Sequence, residues 1–262
     1  MANMPKTIGQ YKYKDFTDKK VLGSDGSFND AYQVYHPFIG NCVVKIVSRS
    51  FYCQEGEHRQ LLQEAADMRK VVHPNILPML GVVMEPEHLC LIFDLAENGS
   101  LAKALKRIQI PWSVKVQIAY QTIKAICFLH NLEEPIVHRN LKTTNILLNT
   151  NFDVKVCDFV MPNRFKWVSQ ASKQKERSVR HRQTQNSHKE GSGAAIAYIS
   201  PETIKNINST PEPPFDVYSY GVLLVELLTD KQPFSDKTTK EVFDHISNGY
   251  GIELGEFLPG HP

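Results

Sequence analysis

The sequence predicts an α+β fold in two parts, a small strand-rich part over about residues 12–95 and a larger helical part over about residues 98–262. Three observations predict it. Short β-branched and aromatic runs alternate with one helical stretch in the first part. The linker-like Ala96-Glu97-Asn98-Gly99-Ser100 follows, and beyond it the apolar spacing turns mainly helical.

In chain order, Val43-Val44-Lys45-Ile46-Val47 reads as a strand and Leu89-Cys90-Leu91-Ile92-Phe93 as a second. Between them, Glu57 to Val72 places Leu61, Ala65, Met68 and Val72 on one helix face. Val114 to His130 is expected as a buried helix entered through Pro111-Trp112-Ser113, with Ser113 as a candidate cap. Strands at Asn145–Leu148 and Val154–Cys157 flank a polar turn, and Asp216–Leu228 and Lys240–Ser247 are further helices. Residues 169–193 are rich in Lys, Arg, His, Gln and Ser and nearly lack large apolar residues, the composition of a mobile loop. No internal repeat is visible.

A chain of 262 residues with 42% hydrophobic content suits one large domain or two small ones. The net charge of +2 points to neither a nucleic-acid binder nor a membrane-surface protein. The start is polar, without the apolar core of a signal peptide. The longest apolar stretch, Gly221–Leu228, is interrupted by Glu226 and too short to cross a bilayer. Five cysteines stand singly, as expected for reduced, half-buried thiols in a cytosolic protein. A soluble cytoplasmic protein is therefore expected.

Residues with chemical potential occur in a fixed order. Leu22-Gly23-Ser24-Asp25-Gly26-Ser27-Phe28-Asn29-Asp30-Ala31 carries glycines that let backbone N–H groups approach phosphates, although a hairpin turn would use the same pair. Lys45 lies in a strand, and Glu64 falls between Leu61 and Met68 on the apolar helix face. A carboxylate there needs a cation, and Lys45 is the natural partner. His138-Arg139-Asn140-Leu141-Lys142-Thr143-Thr144-Asn145 precedes Asp158-Phe159-Val160, and the hairpin between them would return Asp158 beside Asn145.

This constellation resembles the protein kinases, in the family's order from about Val21 to Gly249. The resemblance implies a bilobal kinase fold. It makes Gly23 and Gly26 part of the glycine-rich loop and Lys45 with Glu64 the phosphate-binding pair. Phe93 becomes the gatekeeper, Asp94 to Ala96 the hinge, and Asn145 and Asp158 the Mg²⁺ ligands, with ATP as the nucleotide. The segment from His138 to Asn145 matches the catalytic loop H-R-D-L-K-x-x-N at all but one residue, Lys142 resembling the serine/threonine type. Ser200-Pro201-Glu202 stands for A-P-E, and Asp216-Val217-Tyr218-Ser219-Tyr220-Gly221 for the start of a buried structural helix.

The departures are specific. Asn140 stands where the catalytic base is an aspartate, and its amide has no useful basicity near neutral pH. Val160 replaces the hinge glycine of D-F-G, and the glycine loop is eroded, with Asn29 at the third glycine. The leading expectation is a pseudokinase that binds ATP and acts through a partner. An active serine/threonine kinase and a scaffold that binds no nucleotide are the alternatives. Within the family, Asn75-Ile76-Leu77-Pro78, Asn98-Gly99-Ser100-Leu101 and Lys231-Gln232-Pro233-Phe234 resemble the receptor-interacting protein (RIP) kinases, which implies signal transduction with a RIP kinase as partner. The resemblance also implies a C-lobe lacking its last helices. The basic loop 169–193 is either a phosphorylatable docking segment or a solvated insert.

Overall fold

The computed structural model describes residues 9–23, 31–47, 55–85, 87–159, 193–206 and 212–252. They form two compact units that part at Ala96 and Glu97. Gly26, Val160 and residues 169–192 of the basic loop lie outside the described residues.

The first unit is a six-stranded sheet with one helix. Its strands are β1 (Gly9–Tyr11), β2 (Thr17–Gly23), β3 (Ala31–His36), β4 (Gly40–Ile46), β5 (Met79–Glu85) and β6 (His88–Asp94), and α1 (Glu55–Lys70) connects β4 to β5. The sheet order is β1-β5-β6-β4-β3-β2. All neighbours are antiparallel except β1 and β5, which pair in parallel from Gly9 opposite Gly81 to Tyr11 opposite Val83. Alternation assigns the two faces. Cys42, Val44, Cys90 and Ile92 turn to one side and build a core with Phe16, Val34 and Val83. Val43, Lys45 and Phe93 turn to the other and remain partly accessible.

The second unit opens with β7 (Gly99–Ser100) and α2 (Leu101–Arg107), followed by α3 (Trp112–His130), β8 (Ile146–Leu148) and β9 (Val154–Val156). Strands β7, β8 and β9 form a small antiparallel sheet. Beyond residue 192 a 3₁₀ stretch (Gly193–Tyr198) leads to α4 (Pro201–Lys205), α5 (Pro213–Thr229) and α6 (Thr239–Ser247). Helix α5 starts on Pro213 and Pro214, whose missing N–H groups cost nothing in a first turn, and ends where Asp230 turns left-handed at φ +56°. Helix α6 starts on a capping box in which Thr238 and Glu241 satisfy each other's backbone N–H groups.

The expected helices and strands are present, with ends displaced by a few residues. The cap of α3 is corrected: Pro111 occupies that position and Ser113 lies inside the first turn. Helix α3 buries Ile118, Ala125, Ile126 and Leu129, but also Lys115, which is only 5% exposed. The Lys115 ammonium sits 2.7 Å from the Asp230 carboxylate and 3.5 Å from the Leu228 carbonyl. It therefore supplies a cation to the negative end of α5. The thiols are not uniformly half-buried: Cys42 and Cys90 are fully buried and Cys127 is exposed. Burial, reinforced by the charge of Asp94, pushes the Cys42 thiol up to about 11.

Candidate functional site

The candidate residues fall into two groups, one in each unit. In the first unit, Lys45 pairs with Leu91 and Val43 with Phe93, so alternation along adjacent strands brings Lys45 and Phe93 to one face of the sheet. Gly23 closes β2 opposite Ala31. Asp94 ends β6, its N–H donating to the Pro78 carbonyl at 3.0 Å and its carboxylate accepting from the Leu95 N–H at 2.9 Å. These bonds fix the turn from β6 into Leu95 and the buried Ala96. Glu64 lies on α1, which packs against β5, and is 1% exposed. A carboxylate so deeply buried requires compensation by a cation or hydrogen-bond donors.

In the second unit, the loop after α3 is built around one carboxylate. Asp216, at the start of α5 and fully buried, accepts from the His138 N–H at 2.7 Å and the Arg139 N–H at 2.9 Å, and lies 2.7 Å from His130 Nε2. Arg139 sits at φ +63°, a backbone region that L-residues disfavour, and the two hydrogen bonds hold the chain through it. His138 is fully buried, and its Nδ1 accepts from the Asn140 N–H at 3.3 Å, which leaves the ring proton on Nε2. Burial pushes its pKa down, against the opposing charges of Asp216 and Asp158, and keeps the ring neutral at neutral pH. Phe159 stacks edge-on against that ring at 6.3 Å.

The loop brings Asn140, Lys142, Asn145 and Asp158 into one neighbourhood. The Asn145 side-chain amide donates to the Asn140 carbonyl at 2.7 Å, and the Asn145 N–H donates to the Lys142 carbonyl at 2.9 Å. The Asn145 carbonyl in turn accepts from the Cys157 N–H at 3.0 Å, which places Asp158 one residue away. Asp158 is exposed at φ +62°. With its –NH₂ committed to Asn140, Asn145 keeps its amide oxygen as a potential ligand, and the Asp158 carboxylate follows one residue after the Cys157 N–H that bonds the Asn145 carbonyl. That donor set fits Mg²⁺, which takes hard oxygen ligands from one or two side chains and leaves its other positions to phosphates and water. Mg²⁺ would supply charge neutralisation for the phosphates.

A second buried cluster escaped the sequence reading. Glu226 on α5 accepts from the Thr143 hydroxyl at 3.0 Å and from the Tyr198 hydroxyl, linking the loop that carries Asn145 to the segment entering α4. Burial raises the Glu226 carboxyl above its ordinary value, opposed by the two hydroxyl donors and more weakly by Lys106. Burial and the neighbouring carboxylate likewise raise the Tyr198 phenol. The signal was present, since Glu226 interrupts an apolar run as Glu64 does.

Residues 16–254 match the family model for the protein kinase domain. The chain belongs to the protein kinase family. Among curated relatives, this kinase domain is 35% identical to human ankyrin repeat and protein kinase domain-containing protein 1 over 72% of its length. It is 31% identical to receptor-interacting serine/threonine-protein kinase 2 of Bos taurus over 77%, and 30% identical to human receptor-interacting serine/threonine-protein kinase 4 over 95%. The chain spans 23%, 36% and 28% of those three proteins' lengths, respectively. It is thus a kinase-domain protein that resembles the RIP kinases. No helix among the described residues is long and apolar enough to cross a membrane.

Proposed function

We propose that this chain is a pseudokinase of RIP-kinase type that binds ATP with Mg²⁺, transfers phosphate poorly or not at all, and acts in cytoplasmic signal transduction by binding a protein partner, a RIP kinase being the first candidate. The observation that carries the reading is Asn140. The scaffold around it is built with care: Asp216 holds the two preceding N–H groups, His138 receives its own, and Asn145 donates to its carbonyl. At the centre of that scaffold stands an amide in place of a carboxylate. An amide can accept a hydrogen bond and orient a hydroxyl, but it cannot take the proton, and loss of a general base costs about 10²–10⁴ in rate.

Lys45 and Glu64 in one unit, and Asn145 and Asp158 in the other, support retained nucleotide binding. Each of these residue types is the one the family uses toward ATP and Mg²⁺. Lys142 beside Asn140 supports the serine/threonine character of the ancestral activity. In a thermal-shift titration, ATP with Mg²⁺ raises the melting temperature of the native chain, and Lys45→Ala removes the shift. Asp158→Asn removes the Mg²⁺-dependent part of it alone. A native chain that ATP does not stabilise, with or without Mg²⁺, would favour the scaffold that binds no nucleotide.

A further inference from the structure

We infer that the outer face of the α3–α5 helix pair is a two-fold interface between copies of this chain. A helix that is apolar on its outer side as well as its inner side is built to be covered on both, and these two helices are. Between Asp216 and Asp230 the one charged residue of α5 is Glu226, and Asp216 and Glu226 are both buried. Val217 and Gly221 are exposed, and the half-buried Leu224 and Leu228 continue their stripe. On α3 the exposed stripe is Trp112, Val116 and Tyr120, one helical turn apart. The helices run antiparallel: Lys115 near the start of α3 meets Asp230 past the end of α5, and His130 at the end of α3 meets Asp216 near the start of α5. Tyr220 donates its hydroxyl to the Ala119 carbonyl at 2.9 Å, and the two stripes flank that contact on one side of the pair. The strip carries a single charge, Lys124, whose ammonium lies 5.4 Å from the Tyr120 ring.

Area and shape both point to a second copy. Trp112 is 43% exposed, Val116 50%, Tyr120 62% and Val217 60%. Together they bare on the order of 400 Å², as large as the greatest apolar patch on an ordinary monomer. A stable interface takes about 800 Å² from each partner, a little over half of it apolar, so the strip matches the apolar share of one side. Gly221 supplies the shape. Glycine weakens a helix interior relative to alanine, and a Cβ there would meet nothing within 4 Å, so packing inside the chain does not require it. It leaves a hole on the same face as the aromatic knobs. An interface about a two-fold axis needs one patch to complement itself, residue i meeting j as j meets i. Knobs and a hole on one strip, with almost no charge to repel its own image, satisfy that condition. An aromatic ring of one copy seats over Gly221 of the other.

The test is sedimentation equilibrium over a concentration series, on the native full chain and three variants, with reductant present because Cys127 is exposed. The native chain dimerises by roughly 100 μM. Tyr120→Asp and Val217→Lys change exposed side chains, and each raises the dimer Kd by about tenfold or more. Gly221→Leu suits the helix better and adds apolar surface, yet it fills the hole, so it too raises the Kd by about tenfold. Circular dichroism melts check that each variant is folded. A native chain that is monomeric throughout the series overturns the inference, including the case in which the strip serves a different protein. A dimer indifferent to Tyr120→Asp and Val217→Lys overturns it as well. So does a dimer that Gly221→Leu tightens, the mark of unspecific apolar adhesion.

Discussion

Replacing Asp216 by asparagine tests the physical argument for how the loop carrying Asn140 is held. Asp216 is fully buried, and its two oxygens receive the His138 N–H, the Arg139 N–H and a contact from His130 Nε2. Asparagine keeps one oxygen and presents –NH₂ in place of the other. If that oxygen stays with Arg139, the –NH₂ faces the His138 N–H, donor against donor, and flipping the amide only moves the conflict to Arg139. His130 can adapt by changing tautomer, but a backbone N–H cannot. A hydrogen bond to a charged acceptor contributes about 1.5–3 kcal/mol, and a stranded buried donor costs about 1–3 kcal/mol more. The expected loss is therefore about 3–5 kcal/mol. At about 2–4 °C per kcal/mol for a chain of this size, the melting temperature falls by roughly 6–20 °C. Thermal unfolding followed by circular dichroism measures the shift. Hydrogen exchange at the His138 and Arg139 amides locates it, since protection there should fall more than in the strands of the first unit. A shift below about 2 °C, less than 1 kcal/mol by the same conversion, would refute the claim that this carboxylate holds the loop.

Two further outcomes follow from buried charge in the second unit. Lys115→Met keeps the length of the stem but withdraws the ammonium from Asp230 and the Leu228 carbonyl. Asp230 is 39% exposed, so solvent offsets part of the loss, and chemical denaturation should show about 1–2 kcal/mol of destabilisation. Glu226 has a folded-state pKa above its unfolded value, so its favourable contribution is full below about pH 4.5 and is lost as pH rises through the folded value. Glu226→Gln removes that dependence: in melts between pH 4 and 8, stability relative to the native chain should move in the variant's favour as pH rises, and a difference flat across the range would refute it.

The sequence carried most of what depends on local pattern. The short β-branched and apolar runs Val43–Val47 and Leu89–Phe93 located β4 and β6, and the spacing of Leu61, Ala65 and Met68 located α1. The motif around His138–Asn145 located the loop in the second unit, and the argument from a carboxylate in an apolar stripe placed Glu64 correctly as buried. What escaped depends on partners distant in sequence. Strand β1 is too short to show alternation, and its pairing depends on a glycine more than seventy residues away. In α3 the local pattern misleads, since Lys115 is buried while its neighbour Val116 is 50% exposed. Only the end of α5, over a hundred residues later, explains the lysine. The cap of α3 was misplaced because proline and serine both suit a helix start, and the proline took the position.

Asn140 remains the residue on which the functional account turns, and phosphoryl transfer from labelled ATP to a protein substrate or to the chain itself, compared between the native chain and Asn140→Asp, tests it most directly. The account predicts little or no transfer by the native chain and a gain of about 10²-fold or more on restoring the carboxylate, provided Lys45 and Asp158 are intact. Equal and substantial rates for the two proteins would contradict it.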